Sequence, residues 1–234
     1  MSRKHPIIAI TGSSGAGTST VTNTFQQIFD RERIRSAIVH GDSFHRYDRA
    51  EMRAQHNKAD EEGRPPLSHF GPDAIHFQAL ESLFENYPEG GTGRTRQYVH
   101  DEIEEAELGS PPGTFTPWED LPAGSDLLYY EGLHGAVRTD AVDIAKHVDL
   151  CIGVVPIINL EWIQKIQRDK SARGYSTEAV TDMILRRMPD YVHYICPQFN
   201  NTDINFQRVP MVDTSNPLTA RWIPTPDESM TVIR

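Results

Sequence analysis

The segment Ile7-Ile8-Ala9-Ile10-Thr11-Gly12-Ser13-Ser14-Gly15-Ala16-Gly17-Thr18-Ser19-Thr20 governs how the rest of the chain is read. It opens with a short apolar run that stops at a glycine, the pattern of a buried strand. Beyond it, Val21, Phe25, Ile28 and Phe29 recur at helical spacing, so a helix is predicted over residues 18–29. The turn between them fits G-x-x-x-x-G-K-[ST] at every position but one. Gly12, Gly15 and Gly17 let backbone N–H groups converge on phosphate oxygens, and the helix start adds its positive dipole end. Ser19 takes the hydroxyl position that ligates Mg2+. Residues 12–20 are therefore a candidate nucleotide-binding loop, with Thr18 standing in the lysine slot. A Ser/Gly-rich turn capping a helix has the same look. If the loop binds ATP, a cation from elsewhere has to reach the β- and γ-phosphates.

Working outward, further apolar runs predict strands at residues 37–40, 127–130 and 150–155, and late strands at 209–212 and 230–233. Helical periodicity covers residues 74–84, 159–172 and 177–194. Strands alternating with helices imply an α/β, P-loop-NTPase-like fold with a mostly parallel sheet and helices on both faces. Residues 1–234 read as one domain. Across residues 86–126 the texture changes to glycines, prolines, acids and aromatics, which marks an inserted segment on the substrate side. The acids of residues 101–107 read as a solvated edge.

The 234 residues carry 33 acids against 23 bases, a net charge of −10, which argues against a general nucleic-acid binder. No apolar run approaches the roughly 20 residues that span a bilayer, and the start of the chain leaves no room for a signal peptide. Two cysteines, Cys151 and Cys196, outside any CxxC pair, read as reduced thiols of a cytoplasmic protein.

The missing cation has a candidate source. Lys165, Arg168, Asp169 and Arg173 fall within an arc of about 140° on the predicted helix, where they can clamp a migrating phosphate. In doubly wound sheets ligands bind beyond the carboxyl ends of the strands, and Asp42 and Glu131 stand at two such ends. Phosphoryl transfer needs one carboxylate for the acceptor's proton and others for Mg2+. Asp42 suits the base, Glu131 the metal, and Asp169 either role. His45, Arg49 and Arg53 share a face at helical spacing, a basic surface suited to an acceptor that itself carries phosphate. Tyr98 and His100 alternate onto one side of a short strand in the inserted segment.

These motifs together resemble the bacterial phosphoribulokinases, within the phosphoribulokinase/uridine kinase family of P-loop kinases. The resemblance runs over essentially the whole chain and is dense in Gly41-Asp42-Ser43-Phe44-His45-Arg46-Tyr47-Asp48-Arg49 and in Val155-Pro156-Ile157-Ile158-Asn159-Leu160-Glu161-Trp162-Ile163-Gln164-Lys165. It implies transfer of the γ-phosphate of MgATP to the C1 hydroxyl of ribulose 5-phosphate, in carbon fixation by the Calvin cycle. By position it implies Asp42 as base, and Ser19, Glu131 and Asp169 as metal and catalytic groups. Lys165, Arg168 and Arg173 become phosphate-handling or substrate-binding cations. His45, Arg49, Tyr98 and His100 become sugar-phosphate contacts, with Arg53 where relatives carry lysine. Threonine at position 18 is a trait of the bacterial members. The resemblance further implies NADH as an activator, an octameric assembly, and Arg31 and Arg234 as effector contacts. With Ala16 and its neighbours offering no thiol, it implies no thioredoxin control. Family members generally continue past the position of Arg234 through further strand and helix. Two other readings compete: a kinase for another phosphorylated sugar or alcohol, and a module that senses ATP without turnover.

Overall fold

A strand that is apolar along its length needs cover on both faces, and β1 (Ile7–Thr11) obtains it at the centre of a six-stranded sheet. The computed structural model describes residues 4–234. After β1 come α1 (Thr18–Glu32), β2 (Ser36–His40), α2 (Arg49–Glu61) and α3 (Phe77–Gly90). The inserted segment holds a small ribbon, β3 (Arg94–Thr95) with β4 (Glu119–Asp120), and between them α4 (Glu102–Leu108). The chain then runs through β5 (Leu127–Gly132), β6 (Leu150–Val154), α5 (Ile158–Arg173), α6 (Thr177–Asp190), β7 (Ile204–Pro210) and β8 (Ser229–Ile233).

The sheet order is β2-β5-β1-β6-β7-β8, parallel throughout except where β8 runs antiparallel to β7. Successive strands step away from β1 in opposite directions, so a crevice opens at the carboxyl ends beside it. Strand alternation sends Tyr129 and Tyr130 to opposite faces. Tyr129 meets Phe25 and Phe29 of α1 at ring separations of 5.7 and 5.5 Å, while Tyr130 meets Phe84 of α3 at 5.3 Å. Around them Ile10 and Ile152 fill one face, and Ile7, Val39, Leu80 and Leu128 the other. A separate cluster of Ile166, Val180 and Ile184 joins α5 to α6.

The expected α/β architecture is present, with several boundaries displaced. The helix expected at 74–84 begins only at Phe77, because Ile75 pairs with His45 in an antiparallel bridge. It then runs to Gly90 with Pro88 in its last turn, so the inserted segment starts inside α3. The strand expected at 209–212 spans Ile204–Pro210: polar Asn205 and Gln207 mask its alternation, while β6 and β8 pair with it on either side. The stretch expected as a helix over 177–194 is helical only to Asp190, just past Pro189, and continues as a wider π turn over Tyr191–Ile195. Two helices went unread. α2 is set by a capping box, in which Glu51 N donates to Asp48 Oδ1 at 2.8 Å and Asp48 N to Glu51 Oε2 at 2.9 Å. α4 turns the expected acidic edge into a helix capped by Asp101. Among the described residues no helix is long and apolar enough to cross a membrane, and both cysteines are free thiols.

Candidate active site

Gly15 and Gly17 adopt φ angles of 106° and 97°, left-handed conformations that a Cβ would strain. They turn the chain from β1 into α1, whose N-cap is Gly17 itself, with no side-chain cap and no acid in the first turn. The N–H groups of that turn are left for an anion. Thr18 begins α1, and Ser19 is exposed in its first turn.

α5 brings cationic side chains against the loop. Gln164 donates its amide to the Gly15 carbonyl, and a Cβ on Gly15 would stand 3.0 Å from both the Glu161 carbonyl and Lys165 Cβ, so helix and loop are in contact. Lys165 Nζ donates to Asp169 Oδ2 at 2.7 Å, and Arg168 Nε and Arg173 Nη1 approach Asp169 Oδ1 at 3.0 and 3.4 Å. Arg168 also donates through Nη2 to Ser14 Oγ at 2.9 Å. Burial alone pushes Asp169 up, but Lys165, Arg168 and Arg173 outweigh it and keep the group ionised. Burial pulls Lys165 down to about 8 against the opposing pull of Asp169. One turn earlier, burial pushes Glu161 up to about 7, although the Tyr191 hydroxyl donates to its Oε2 at 3.1 Å.

On the other side of β1, Asp42 stands in the 3-10 turn that follows β2. Its carboxylate meets His45 Nε2 through Oδ1 and His100 Nε2 through Oδ2, each at 3.3 Å. Burial would raise Asp42, yet His45, His100 and His69 hold it well below the usual carboxylate range. The bond to Asp42 raises His100, whose Nδ1 lies 3.1 Å from Glu104. Burial lowers His45, despite Asp42. Tyr98 packs on both histidines, at ring separations of 6.2 Å from His45 and 5.1 Å from His100. Arg49 donates to the His100 carbonyl at 2.9 Å. This is an ionised carboxylate ringed by imidazoles, a phenol and a guanidinium, chemistry suited to a hydroxylated, anionic acceptor.

Glu131 lies between the two halves. The β1–β5 register sets it opposite Ile10, and Gly12 N donates to Gly132 O at 3.2 Å, so the carboxylate stands beside the start of the loop. It accepts from His40 Nδ1 at 3.3 Å. A hydroxyl and a carboxylate flanking a phosphate loop fit Mg2+, which takes few protein oxygens and completes its shell with water and phosphate.

The structure thus brings together Ser14, Lys165, Arg168, Asp169 and Arg173 on one side, and Asp42, His45, Arg49, Tyr98 and His100 on the other. It does not place His45, Arg49 and Arg53 on one helical face. α2 starts at Arg49, His45 lies in extended backbone, and Arg53 has no hydrogen bond or ion pair to the Asp42 cluster among the described residues. Arg31, in the last turn of α1, is bonded to Glu32 at 2.8 Å, and Arg234, just past β8, donates its amide to Asn205 O at 3.0 Å; among the described residues neither has a hydrogen bond or ion pair to the phosphate loop or the Asp42 cluster. Sequence reading missed His69, Arg96, Glu104 and Arg187. His69 stacks on His45 at 4.0 Å with its buried Nδ1 unpartnered, and Arg187 lies over Phe70 at 5.9 Å. Only Glu104 carried a local signal, its i+4 spacing from His100.

A parallel sheet, a glycine loop opening α1, cations on the helix after β6 and a carboxylate at the end of β2 define a P-loop kinase-like α/β protein. The phosphoribulokinase / uridine kinase family profile matches residues 7–215. The chain is 66% identical to the phosphoribulokinase of Nitrobacter vulgaris, over all of this chain and 81% of that one. It is 64% identical to the plasmid phosphoribulokinase of Cupriavidus necator, over 80% of that protein. The solved phosphoribulokinase from Rhodobacter spheroides superposes with a TM-score of 0.88 at 57% identity, covering the whole of this chain and 80% of that one. This chain belongs to the phosphoribulokinase/uridine kinase family.

Proposed function

We propose that this chain transfers the γ-phosphate of ATP to the C1 hydroxyl of ribulose 5-phosphate, giving ribulose 1,5-bisphosphate for carbon fixation by the Calvin cycle. The observation that carries this reading is Asp42 set between His45 and His100, across β1 from a phosphate loop whose cations arrive on α5. Relatives named phosphoribulokinase over this chain's full length support the choice of acceptor.

The phosphates lie on residues 12–20, in reach of the first-turn N–H groups of α1. Lys165 and Arg168 neutralise charge on the migrating phosphoryl, and Asp169 keeps those cations converged and charged. Ser19 and Glu131 would hold Mg2+, which would screen the phosphate oxygens, with Asp169 left to its ion pairs. Asp42 orients the C1 hydroxyl and accepts its proton. In a loose phosphoryl-transfer transition state this asks little basicity of the group, consistent with a carboxylate held so strongly ionised. His45, Arg49, Tyr98 and His100 take the sugar phosphate, with Arg173 at the rim. The same reading makes residues 1–234 one kinase domain, cytoplasmic, homo-oligomeric and activated by NADH, with Arg31 and Arg234 as effector contacts.

The test is coupled ADP release with ribulose 5-phosphate and with a panel of other sugar phosphates, each with and without NADH. A higher kcat/KM for another acceptor overturns the acceptor. ATP binding by calorimetry with no ADP released for any acceptor overturns the kinase.

A further inference from the structure

A short 3-10 turn ends in carbonyls that have no partner within it. In the turn that carries Asp42, two such oxygens are taken by one side chain. Arg96 Nε donates to Ser43 O at 2.9 Å and Arg96 Nη2 to His45 O at 2.7 Å. The guanidinium lies 3.6 Å from the ring centre of Phe115 and 4.9 Å from that of Trp118. Trp118 in turn meets Phe44 edge-on at 5.9 Å. From the other direction the Ser43 hydroxyl donates to the Arg96 carbonyl and lies 3.1 Å from Thr95 Oγ1. The backbone on both sides of Phe44 is therefore fastened to the same stretch of the inserted segment that supplies Tyr98 and His100. An arginine on a solvated surface keeps its fork for water; this one, half-buried and stacked on rings, has two arms committed to fixed oxygens.

We propose that Arg96 is a positioning residue, holding the Asp42 turn in register with His100 so that the carboxylate meets the acceptor hydroxyl in one orientation. It does not touch substrate. The proposal rests on the reading of Asp42 as the proton acceptor. Its charge has a second consequence. His45 is faced by Asp42 and by the cationic or ionisable groups His100, Arg187, Arg96 and the stacked His69. Removing the Arg96 charge eases protonation of His45. A charged His45 draws the Asp42 carboxylate into an ion pair and away from the acceptor hydroxyl, so activity is lost at a higher pH on the acid side.

Two variants separate position from charge. Arg96→Met deletes both fork and charge; Arg96→Lys retains charge and deletes the fork. Both are expected to lose about 10- to 100-fold in kcat, the scale of an ångström-sized misplacement, with KM for ATP unchanged. The acid limb of the rate profile moves to higher pH in Arg96→Met alone. Added guanidinium restores part of the kcat of Arg96→Ala, and methylammonium does not. Values of kcat within about threefold of the parent in both variants, well inside that scale, overturn the proposal. If the parent protein fails to phosphorylate ribulose 5-phosphate, the acceptor reading falls separately. NMR titration of His45 and His100 in parent and Arg96→Lys, without substrate, then decides the clamp: a changed His100 titration supports it and superimposable curves overturn it.

Discussion

Replacing Asp169 by asparagine keeps the shape of the side chain and removes the charge on which Lys165, Arg168 and Arg173 converge. The Asp169 side chain is 0% exposed and that of Lys165 7%, so their contact at 2.7 Å is a buried pair. The arginines are 40% and 43% exposed, and solvent screens their share. Removing one partner of a buried pair costs about 3–5 kcal/mol, and the screening places this case near 3 kcal/mol. In a domain of this size about 1 kcal/mol moves Tm by 2–4 °C, so a fall of about 6–12 °C is expected.

Protonation gives the sharper readout. Lys165 sits at about 8 with Asp169 beside it, against an ordinary value of 10.5. If that charge-assisted bond is worth about 1.5–3 kcal/mol, its loss lowers the amine by about 1–2 further units. An amine whose folded pKa lies below its unfolded value opposes folding while the unfolded chain still holds the proton. Stability therefore rises between about 8 and 10.5 in the parent, and the rise starts earlier in Asp169→Asn. Activity follows the opposite sign, since the phosphoryl needs a charged amine. The parent's kcat declines through about pH 8, and the variant's decline comes about 1–2 units lower. Coupled ADP release across the neutral and alkaline range, with melting curves at the same pH values, measures both. An alkaline limb that superimposes on the parent's refutes the assignment of Lys165 as the cation of the phosphate site.

Asp42→Asn is expected to lose about 10³-fold or more in kcat while still binding ATP by calorimetry; turnover near the parent's removes Asp42 from proton transfer. The bond to Asp42 raises His100 above its unfolded value, so its contribution to stability is full below the ordinary histidine value and fades as pH rises through the raised one. Urea midpoints of His100→Gln against the parent should converge toward higher pH, and a constant gap argues against the pair. A Cβ on Gly41 would stand 2.6 Å from the Tyr130 hydroxyl, so Gly41→Ala should destabilise by about 1–3 kcal/mol. That hydroxyl is buried without a partner, and Tyr130→Phe should therefore recover part of the loss, read as non-additivity in a double-mutant cycle.

What the sequence made legible was whatever depends on neighbours along the chain. β1, the glycine loop and α1 follow from residues 7–32 alone, and the Lys165–Asp169 pair follows from an i,i+4 spacing that the helix enforces. The Asp42 cluster followed from the family resemblance and not from spacing, because its members come from three segments, and His69 was not named at all. His45 precedes α2, His100 belongs to the inserted segment, and His69 arrives on the loop before α3. Reading His45, Arg49 and Arg53 as one face failed for a local reason: the Asp48/Glu51 box places the helix start four residues past His45. Arg96 lies in a stretch, residues 93–100, that reads as a source of contacts, but its hold on the Asp42 turn was not legible because backbone carbonyls in a distant turn leave no trace in composition.

Moving the cation from position 18 to α5 changes what the phosphate loop is able to do by itself. A lysine inside the loop would travel with the backbone N–H groups and serve whatever phosphate bound there. Here the loop's charge comes only from a helix dipole, about half an elementary charge, until α5 lies against it. Two contacts set that approach, Gln164 to the Gly15 carbonyl and Arg168 to Ser14. The cations are in turn ordered by Asp169, and α5 is braced by α6 through Ile166, Val180 and Ile184. In the proposed reaction, charge on the migrating phosphate is thus tied to the packing of a helix pair that flanks the site, and nucleotide held by the loop alone would lack the cation that the reaction uses. The acceptor side has the same logic, with its histidine and phenol carried on the inserted segment instead of the sheet. Both halves of the chemistry are borne by elements laid over a rigid crevice. The crevice itself contributes glycine, hydroxyl, backbone and the carboxylates Asp42 and Glu131 at its strand ends, and the order of its strands decides where the two overlays meet them.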